Sequence, residues 1–515
     1  MPTPSTTTKD RKRRLALLAI LGGAYLPFLD TTIVNTSFPA IRESFPGADQ
    51  HELIWILDAY FIAVAAFLVP AGGLADWFGR RRTFLLGTAA FIVTSLACAA
   101  APSWELLTAA RVLQGLSGAV MVPASLALLL PLFPPERRAA GVGLWGAAAA
   151  LAAATGPPLG GILVELADWR WIFLVNLPLG ALVLWSGTRG LTESRDERAT
   201  GLPDLLGTVL VAVGLGLVAL GLIRGGDWGW SSVTTLSTFA ASAAALIAVV
   251  ARSRRHPRPA VDLTLFRVPS FRWGTLGTLL FAVAFFSMIL GNILFLTGIW
   301  GYSVLEAGLA VAPGPLASTI VAAPAGRLAD RFGHRAVIVP GTLLYAAGIV
   351  LFRDASTTPA YLADWLPAQL LIGAGIGLAF PTLGAAAVAD LPSRQFAVAA
   401  AVTAAARQVG AVLGTALLVA ILGDPQGLSA AMQAADNAYL LGIGASLAAG
   451  VVALWIVPGA GGTAPGIDPS NADAAADRSE PTGSHPGGDV TTGVPGHPVD
   501  RAHTTALPLE PEARP

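Results

Sequence analysis

Gly72-Gly73-Leu74-Ala75-Asp76-Trp77-Phe78-Gly79-Arg80-Arg81-Arg82 is a short charged stretch between two apolar runs, each long enough to cross a bilayer. It returns downstream as Gly326-Arg327-Leu328-Ala329-Asp330-Arg331-Phe332-Gly333-His334-Arg335, so both copies read G-x-L-A-D-x-F-G-x-R. A second pair has nearly the same offset. Arg111-Val112-Leu113-Gln114-Gly115, leading to Pro123, matches Gln369-Leu370-Leu371-Ile372-Gly373, leading to Pro381. Two halves repeated in one orientation predict an all-α integral membrane fold: two six-helix bundles about a pseudo-twofold axis along the membrane normal.

Composition agrees with a membrane chain. The 515 residues are 54% hydrophobic and 12% charged, where a soluble protein has about 25% charged residues. Formal net charge is +0, which gives no reason to expect a nucleic-acid partner. The one cysteine, Cys98, lies in an apolar run, so no internal disulfide forms. The histidines are scattered without ligand spacing, and no metal site is expected. Residues 9–14 are mostly basic and precede an apolar run; that run is too long for a usual signal peptide and carries Asp30 and Asn35, so it is read as a retained helix.

Apolar runs place helices 1 to 14 at 15–37, 52–73, 83–101, 104–130, 139–165, 171–190, 204–223, 233–251, 272–298, 305–329, 335–352, 362–389, 396–422 and 437–458. The even-numbered loops hold most of the arginines, including Arg80, Arg81, Arg82, Arg137, Arg138, Arg252, Arg254, Arg255, Arg327 and Arg335. The odd-numbered loops hold only Arg42, Arg170, Arg224 and Arg353, generally beside acids. By the positive-inside rule, both termini and every basic loop face the cytoplasm. The chain then divides into a basic N-terminus (1–14), an N-terminal six-helix bundle (15–190), an inserted two-helix linker (191–270), a C-terminal bundle (271–458) and a disordered cytoplasmic tail (459–515).

Counting along the helices gives depths. Asp30 lies about fifteen residues into helix 1, Asp58 about six into helix 2 and Arg111 about seven into helix 4, which puts all three in one layer roughly 8 Å below one face. Charge in a membrane interior is costly and marks function. A carboxyl taken out of water gains a proton more readily, and a guanidinium beside it restores the carboxylate. Arginine itself keeps its proton, so Asp30 or Asp58 is the expected carrier and Arg111 the tuner. Asn35, Gln114, Asn292 and Arg407 are the polar candidates for a substrate pathway. Gly156, Pro157, Gly160 and Gly161 near the end of helix 5 predict a kink and close packing against a neighbour. In the repeated loop, Gly72 and Gly79 permit reversal, while Asp76, Arg80, Asp330 and Arg335 are expected to latch the halves in one state. Two motifs are excluded: Gly214-Leu215-Gly216 lies inside a span without a βαβ unit, and no phosphate-binding Gly-Lys-Ser/Thr loop occurs.

Taken in order, Leu29-Asp30-Thr31-Thr32 with Asn35 and Pro39, Ala59-Tyr60, the 72–82 loop, Arg111 with Gln114-Gly115, Gly156-Pro157 with Gly160-Gly161, Trp169-Arg170-Trp171 with Asn176, and Arg407-Gln408 with Gly410 and Gly414 resemble the fourteen-helix drug:proton antiporters of the major facilitator superfamily. The resemblance covers about residues 15–458. It implies proton-coupled export of amphipathic small molecules by alternating access, with Asp30 and Arg111 in proton coupling. Asp58 matches an acid of members that export cationic drugs. Alanine-, glycine- and arginine-rich, lysine-poor usage suggests a high-GC bacterium and so its plasma membrane. With no phosphate-binding loop, catalytic grouping or metal cluster in the sequence, a monomer in the bilayer driven by a proton gradient, without a cofactor and without enzymatic activity, is expected. Uptake or facilitated diffusion of a polar metabolite is the alternative. Two departures bear on the substrate: no Asn precedes Arg407, and helix 10 has no embedded acid, Glu306 lying at its mouth.

Overall fold

The computed structural model describes residues 6–134, 138–195, 204–257, 259–391, 395–423 and 425–456; the predicted tail at 459–515 lies outside them. Fourteen helices are long and apolar enough to cross a membrane. They are α1 (Thr6–Glu43), α2 (Trp55–Phe78), α3 (Arg80–Ala99), α4 (Trp104–Leu129), α5 (Arg138–Leu166), α6 (Asn176–Gly190) and α7 (Leu205–Trp228), followed by α8 (Val233–Ser253), α9 (Pro269–Gly298), α10 (Pro313–Phe332), α11 (Arg335–Arg353), α12 (Leu366–Val388), α13 (Phe396–Leu422) and α14 (Leu428–Ala453). Short helical turns lead into four of these, at Gln50–Leu53, Trp171–Leu174, Val304–Val311 and Tyr361–Trp365. No strand occurs among the described residues.

The largest boundary differences from the sequence-based expectation lie at the two ends of the chain. The basic run at 9–14 is helical, so α1 begins at Thr6. The last helix starts at Leu428 rather than 437 and ends at Ala453 rather than 458. Its opening turns carry Asp436, which interrupts the apolar pattern. The structure satisfies that charge with a bidentate Arg353 of α11, at 2.9 and 2.8 Å.

The repeated motifs build matching contacts. A Cβ at Gly115 of α4 would stand 2.7 Å from the Tyr60 carbonyl oxygen of α2. Gly373 of α12 likewise lies against the Gly314 carbonyl of α10. Small residues allow such backbone approach where apolar burial gives no net drive between helices.

The inserted pair lies to one side. Helix α8 packs on α7, and α7 packs on both α2 and α13. On the side away from the N-terminus, Arg224 of α7 bonds Asp49 at 2.9 Å and Glu52 at 3.4 Å. On the other side, Asp204 caps α7 through the Gly207 amide at 2.8 Å and pairs with Arg252 of α8 at 2.6 Å. Burial pushes the Asp204 carboxyl up, but these two donors outweigh it and hold it below its ordinary value.

The two seams between the halves are closed differently. Along α2 and α13, Leu215, Ala219 and Ile223 of α7 join the same apolar cluster as Phe61, Phe286 and Ala416. Nearer the N-terminal side, Val69 packs against Leu265, Ala399 and Val402. The seam between α5 and the second half is tight on the far side, where Gly161 meets the Leu305 backbone and Gly308 meets the Pro157 carbonyl, Leu305 and Gly308 both lying in the Val304–Val311 turn that leads into α10. Toward the N-terminal side, a Cβ at Gly146 or at Gly326 would meet nothing within 4 Å.

Candidate proton and substrate sites

Asp30 and Arg111 meet, as their calculated depth predicts, and both are fully buried. The Arg111 Nη1 donates to Asp30 Oδ2, and also to Gln114 Oε1 at 2.7 Å. Its Nε donates to the Ile56 carbonyl at 3.1 Å, and its guanidinium lies 4.1 Å from the Tyr60 ring centroid. Asp30 Oδ1 accepts from Gln114 Nε2 at 2.8 Å and from Asn176 Nδ2 at 3.0 Å. Ser95 of α3 accepts from the same two amides, at 2.9 and 3.3 Å. The carboxylate thus holds donors on both oxygens, all within the first half, and charge-assisted bonds offset its desolvation.

Three expectations need correction. Gln114, a candidate for the substrate pathway, is instead a member of the Asp30 network. Asp58 is buried but makes no bond to Asp30 or Arg111 in the structure; it accepts from Thr415 of α13, across the seam between the halves, and its Oδ2 has no partner. Counting gives depth along a helix but not the side it faces, which separates these two acids. The sequence-based expectation of no metal-ligand grouping also changes, since Asp49, His51 and Asp227 converge on the far side. The Arg224 guanidinium already bonds both carboxylates there, so the place of a cation is taken.

A cavity of 70 Å³ lies between the halves, lined by Thr32 and Thr36 of α1, Pro157 of α5, Asn292 of α9 and Gln369 of α12. Asn292 therefore reaches the cavity, with its Oδ1 unpartnered. Asn35 does not line it; its amide donates to the Thr31 carbonyl at 2.7 Å. Arg407 sits on α13 with its guanidinium 5.2 Å from the Phe28 ring of α1, and Phe28 meets Trp145 of α5 edge to face at 6.1 Å. The helix 5 motif lies where predicted for packing. Gly156 abuts Thr32, Gly160 lies 3.0 Å from Ile33, and Gly161 meets Leu305, while α5 stays one helix through Pro157.

The loop at 72–82 is fastened to Glu193 and Ser194, just past the end of α6. Gly72 is helical, and the reversal occurs at Gly79, whose φ of 112° suits glycine alone. The Glu193 carboxylate then caps α3, accepting from the Arg81 and Arg82 amides at 3.0 and 3.2 Å. The Arg80 amide donates to the Ser194 carbonyl at 2.9 Å. The Asp76 side chain lies outside the described residues. In the second copy Gly333 turns at φ 85°, and Asp330 and Arg335 are exposed and take part in no ion pair among the described residues. Sequence reasoning missed Glu193 because nothing local marks a cap supplied from more than a hundred residues away. Asn176 belongs to the motif set and Gln369 occupies the place of Arg111 in the repeat; both signals stand in the sequence, but nothing local there marks what the side chains contact.

A model of the Major Facilitator Superfamily matches residues 20–415 and 275–482. The chain belongs to the major facilitator superfamily. It is 36% identical over 416 residues to the multidrug resistance protein Stp of Mycobacterium tuberculosis, covering 80% of this chain and 76% of that protein. It is 34% identical over 414 residues to the tetracenomycin C resistance and export protein of Streptomyces glaucescens, covering 80% and 76%. Among solved structures, a POT family transporter covers 87% of this chain and 97% of its own, with TM-score 0.63 and 17% identity. A D-xylose-proton symporter covers 87% and 98%, with TM-score 0.61 and 16% identity. These likenesses show the fold of this major facilitator. Its fourteen spans and its resistance-protein relatives agree with the drug:proton antiporter branch that its motifs resemble.

Proposed function

We propose that this multi-pass membrane protein exports amphipathic small molecules from a bacterial cytoplasm in exchange for protons, alternating between states open to either side. One helix carries the reading. Asp30 of α1 faces the enclosed network of the first half, while Thr32, two residues on, lines the central cavity and touches Gly156 of α5. A proton on Asp30 removes the charge that holds Arg111, loosening α1 against α4 and α6. A substrate pressing on Thr32 and Thr36 moves the same helix from its other face. Coupling then needs no contact between substrate and proton, only two occupancies competing for one position of α1.

Asp58, with one free oxygen and a hydrogen bond across the seam, is the second proton candidate, released or sealed as α2 and α13 part. The arginine-rich loops support cytoplasmic termini. The two bundles, 15–190 and 271–458, would rock about the pathway as a monomer, with the proton gradient as the energy source. The loop contacts of Arg80 and its neighbours would hold the first half rigid during that motion. The cavity lining is largely apolar, which favours amphipathic cargo over a polar metabolite.

Inverted membrane vesicles with an imposed proton gradient test this. Addition of an exported drug should discharge protons from the vesicle lumen in the wild type and not in Asp30→Asn or Arg111→Ala. A labelled compound that equilibrates without moving protons would leave a facilitator and end the antiport reading.

A further inference from the structure

Among the described residues, Arg407 is a cation inside a spanning helix with no acid paired to it. It stands about eleven residues into α13, some 17 Å along the helix and so near the bilayer midplane. Among the described residues it makes no ion pair; its one recorded partner is the face of Phe28, from the opposite half. The residues before it are Thr403, Ala404, Ala405 and Ala406, which offer no charge. The buried acids among the described residues are Asp30, Asp58 and Asp204. Asp30 holds Arg111, Gln114 and Asn176. Asp204 is committed at the end of α7 to Arg252. Asp58 is held by Thr415, eight residues along α13 from Arg407, or about 12 Å of helix rise.

Arg407 also has a defined place relative to the cavity. Phe28 is one helical turn from Thr32, and Trp145 is two turns from Ala153, both of which line the cavity. The guanidinium, Phe28 and Trp145 therefore lie on its N-terminal side, one to two helical turns beyond the lining, with one member from the second half and two from the first. No carboxylate lines the cavity itself.

We propose that the cavity opens toward this cluster and that the cluster selects aromatic molecules bearing a negative charge, received by the Arg407 guanidinium and the Phe28–Trp145 pair. A half-buried guanidinium that faces an aromatic ring and has no acid paired to it attracts an anionic ligand and repels a cation. The two rings supply edges and faces for an aromatic ligand, so charge and shape are read together. Binding also bridges the halves, since α13 and α1 each hold one part of the ligand. The inference rests on the export reading for its biological meaning, but the charge preference itself is an equilibrium property.

The test uses two dyes of one xanthene skeleton and opposite charge, fluorescein methyl ester and rhodamine 123. Their binding to the purified full chain in lipid nanodiscs at pH 8 is followed by fluorescence anisotropy. The wild type should bind the anion at least about tenfold more tightly than the cation. Arg407→Gln should bring that ratio near one, Arg407→Lys should keep most of it, and Phe28→Leu should weaken both dyes together. Equal binding of the two dyes by the wild type would overturn the proposal, and so would an unchanged ratio in Arg407→Gln. If Arg407→Gln does not fold, the wild-type ratio and the Arg407→Lys variant still decide it. Dye flux in inverted vesicles separates the two readings. A charge-selective site whose dyes never respond to a proton gradient sinks the export mechanism alone, whereas gradient-driven flux that favours the cation sinks the proposed selectivity alone.

Discussion

Arg111 in the first half and Gln369 in the second hold the same place in the repeated motif, and the helices around them pack alike, but their surroundings do different work. Around Arg111 the first half gathers a carboxylate, two amides and a serine into a closed network. Around Gln369 the second half is aromatic: Trp365 stacks on Phe295 at 5.6 Å and lies 4.1 Å from Phe352. Helix α9 carries no acidic residue at all, and Gln369 lines the cavity instead. A duplicated fold thus separates a titratable half from a half that shapes the cavity. Proton and cargo can then be handled apart, coupled only through helices such as α1 that belong to both.

The largest effect should come from making the first half resemble the second. Arg111→Gln leaves the Asp30 carboxylate buried without its counter-charge, a loss of about 3–5 kcal/mol for breaking a buried pair. Thermal unfolding in detergent near neutral pH should show it as a large drop in midpoint, together with loss of coupled transport. Gln369→Ala should cost about 1 kcal/mol and act on substrate affinity. Equal losses from the two variants would break the comparison.

Next in size is the contact between halves on α5. A Val side chain at Gly161 meets the Leu305 backbone, which cannot give way as a side chain can. Overpacking of this kind costs about 1–3 kcal/mol, here charged only to the state in which α5 meets the turn leading into α10. Transport by Gly161→Val should fall by about tenfold or more while Gly146→Val, with open space at its Cβ, stays within about twofold. If Gly146→Val is as damaging, the inner seam closes during the cycle as tightly as the outer one does here.

The two loop copies give a smaller contrast. Glu193 caps α3, and no carboxylate cap is seen at α11 among the described residues. Glu193→Ala should cost about 0.5–2 kcal/mol, the usual range for a lost helix cap. Hydrogen exchange read amide by amide should show Arg81 and Arg82 losing protection while the start of α11 is unchanged.

Much of this was legible in the chain. The repeat gave the architecture, run length and arginine placement gave fourteen spans, and depth counting brought Asp30 and Arg111 to one level. What stayed hidden was azimuth and partnership. Asp58 shares the level of Asp30 but points to α13, and Gln114, one turn from Arg111, turns to the Asp30 network rather than to the cavity. Helical periodicity in an apolar span is a weak guide to facing, because lipid and packed helix are both apolar surroundings. The start of α14 was hidden for a related reason: Asp436 breaks the hydropathy pattern, and only the fold supplies Arg353.

The smallest effect sharpens the loop comparison by pH. Position 80 in the first copy is Arg, and its counterpart in the second is His334. Burial lowers the His334 pKa, and the nearby Asp330 and Asp390 only partly oppose it, so the folded state favours neutral imidazole. The unfolded chain takes up the proton first as pH falls below about 6.5, which drains stability from the native state until the lower folded value is passed. The contribution is therefore complete above that range and lost on acidification. His334→Gln should flatten the pH dependence of the unfolding midpoint between about pH 5 and 7, by less than any effect above. His334→Arg places in the second copy the permanent charge of the first. It should remove the same pH dependence but lower the midpoint throughout, because the half-buried site then holds a cation at every pH. A wild-type midpoint that rises on acidification would mean that Asp330 and Asp390 outweigh burial, and that the second loop carries its own ion pair after all.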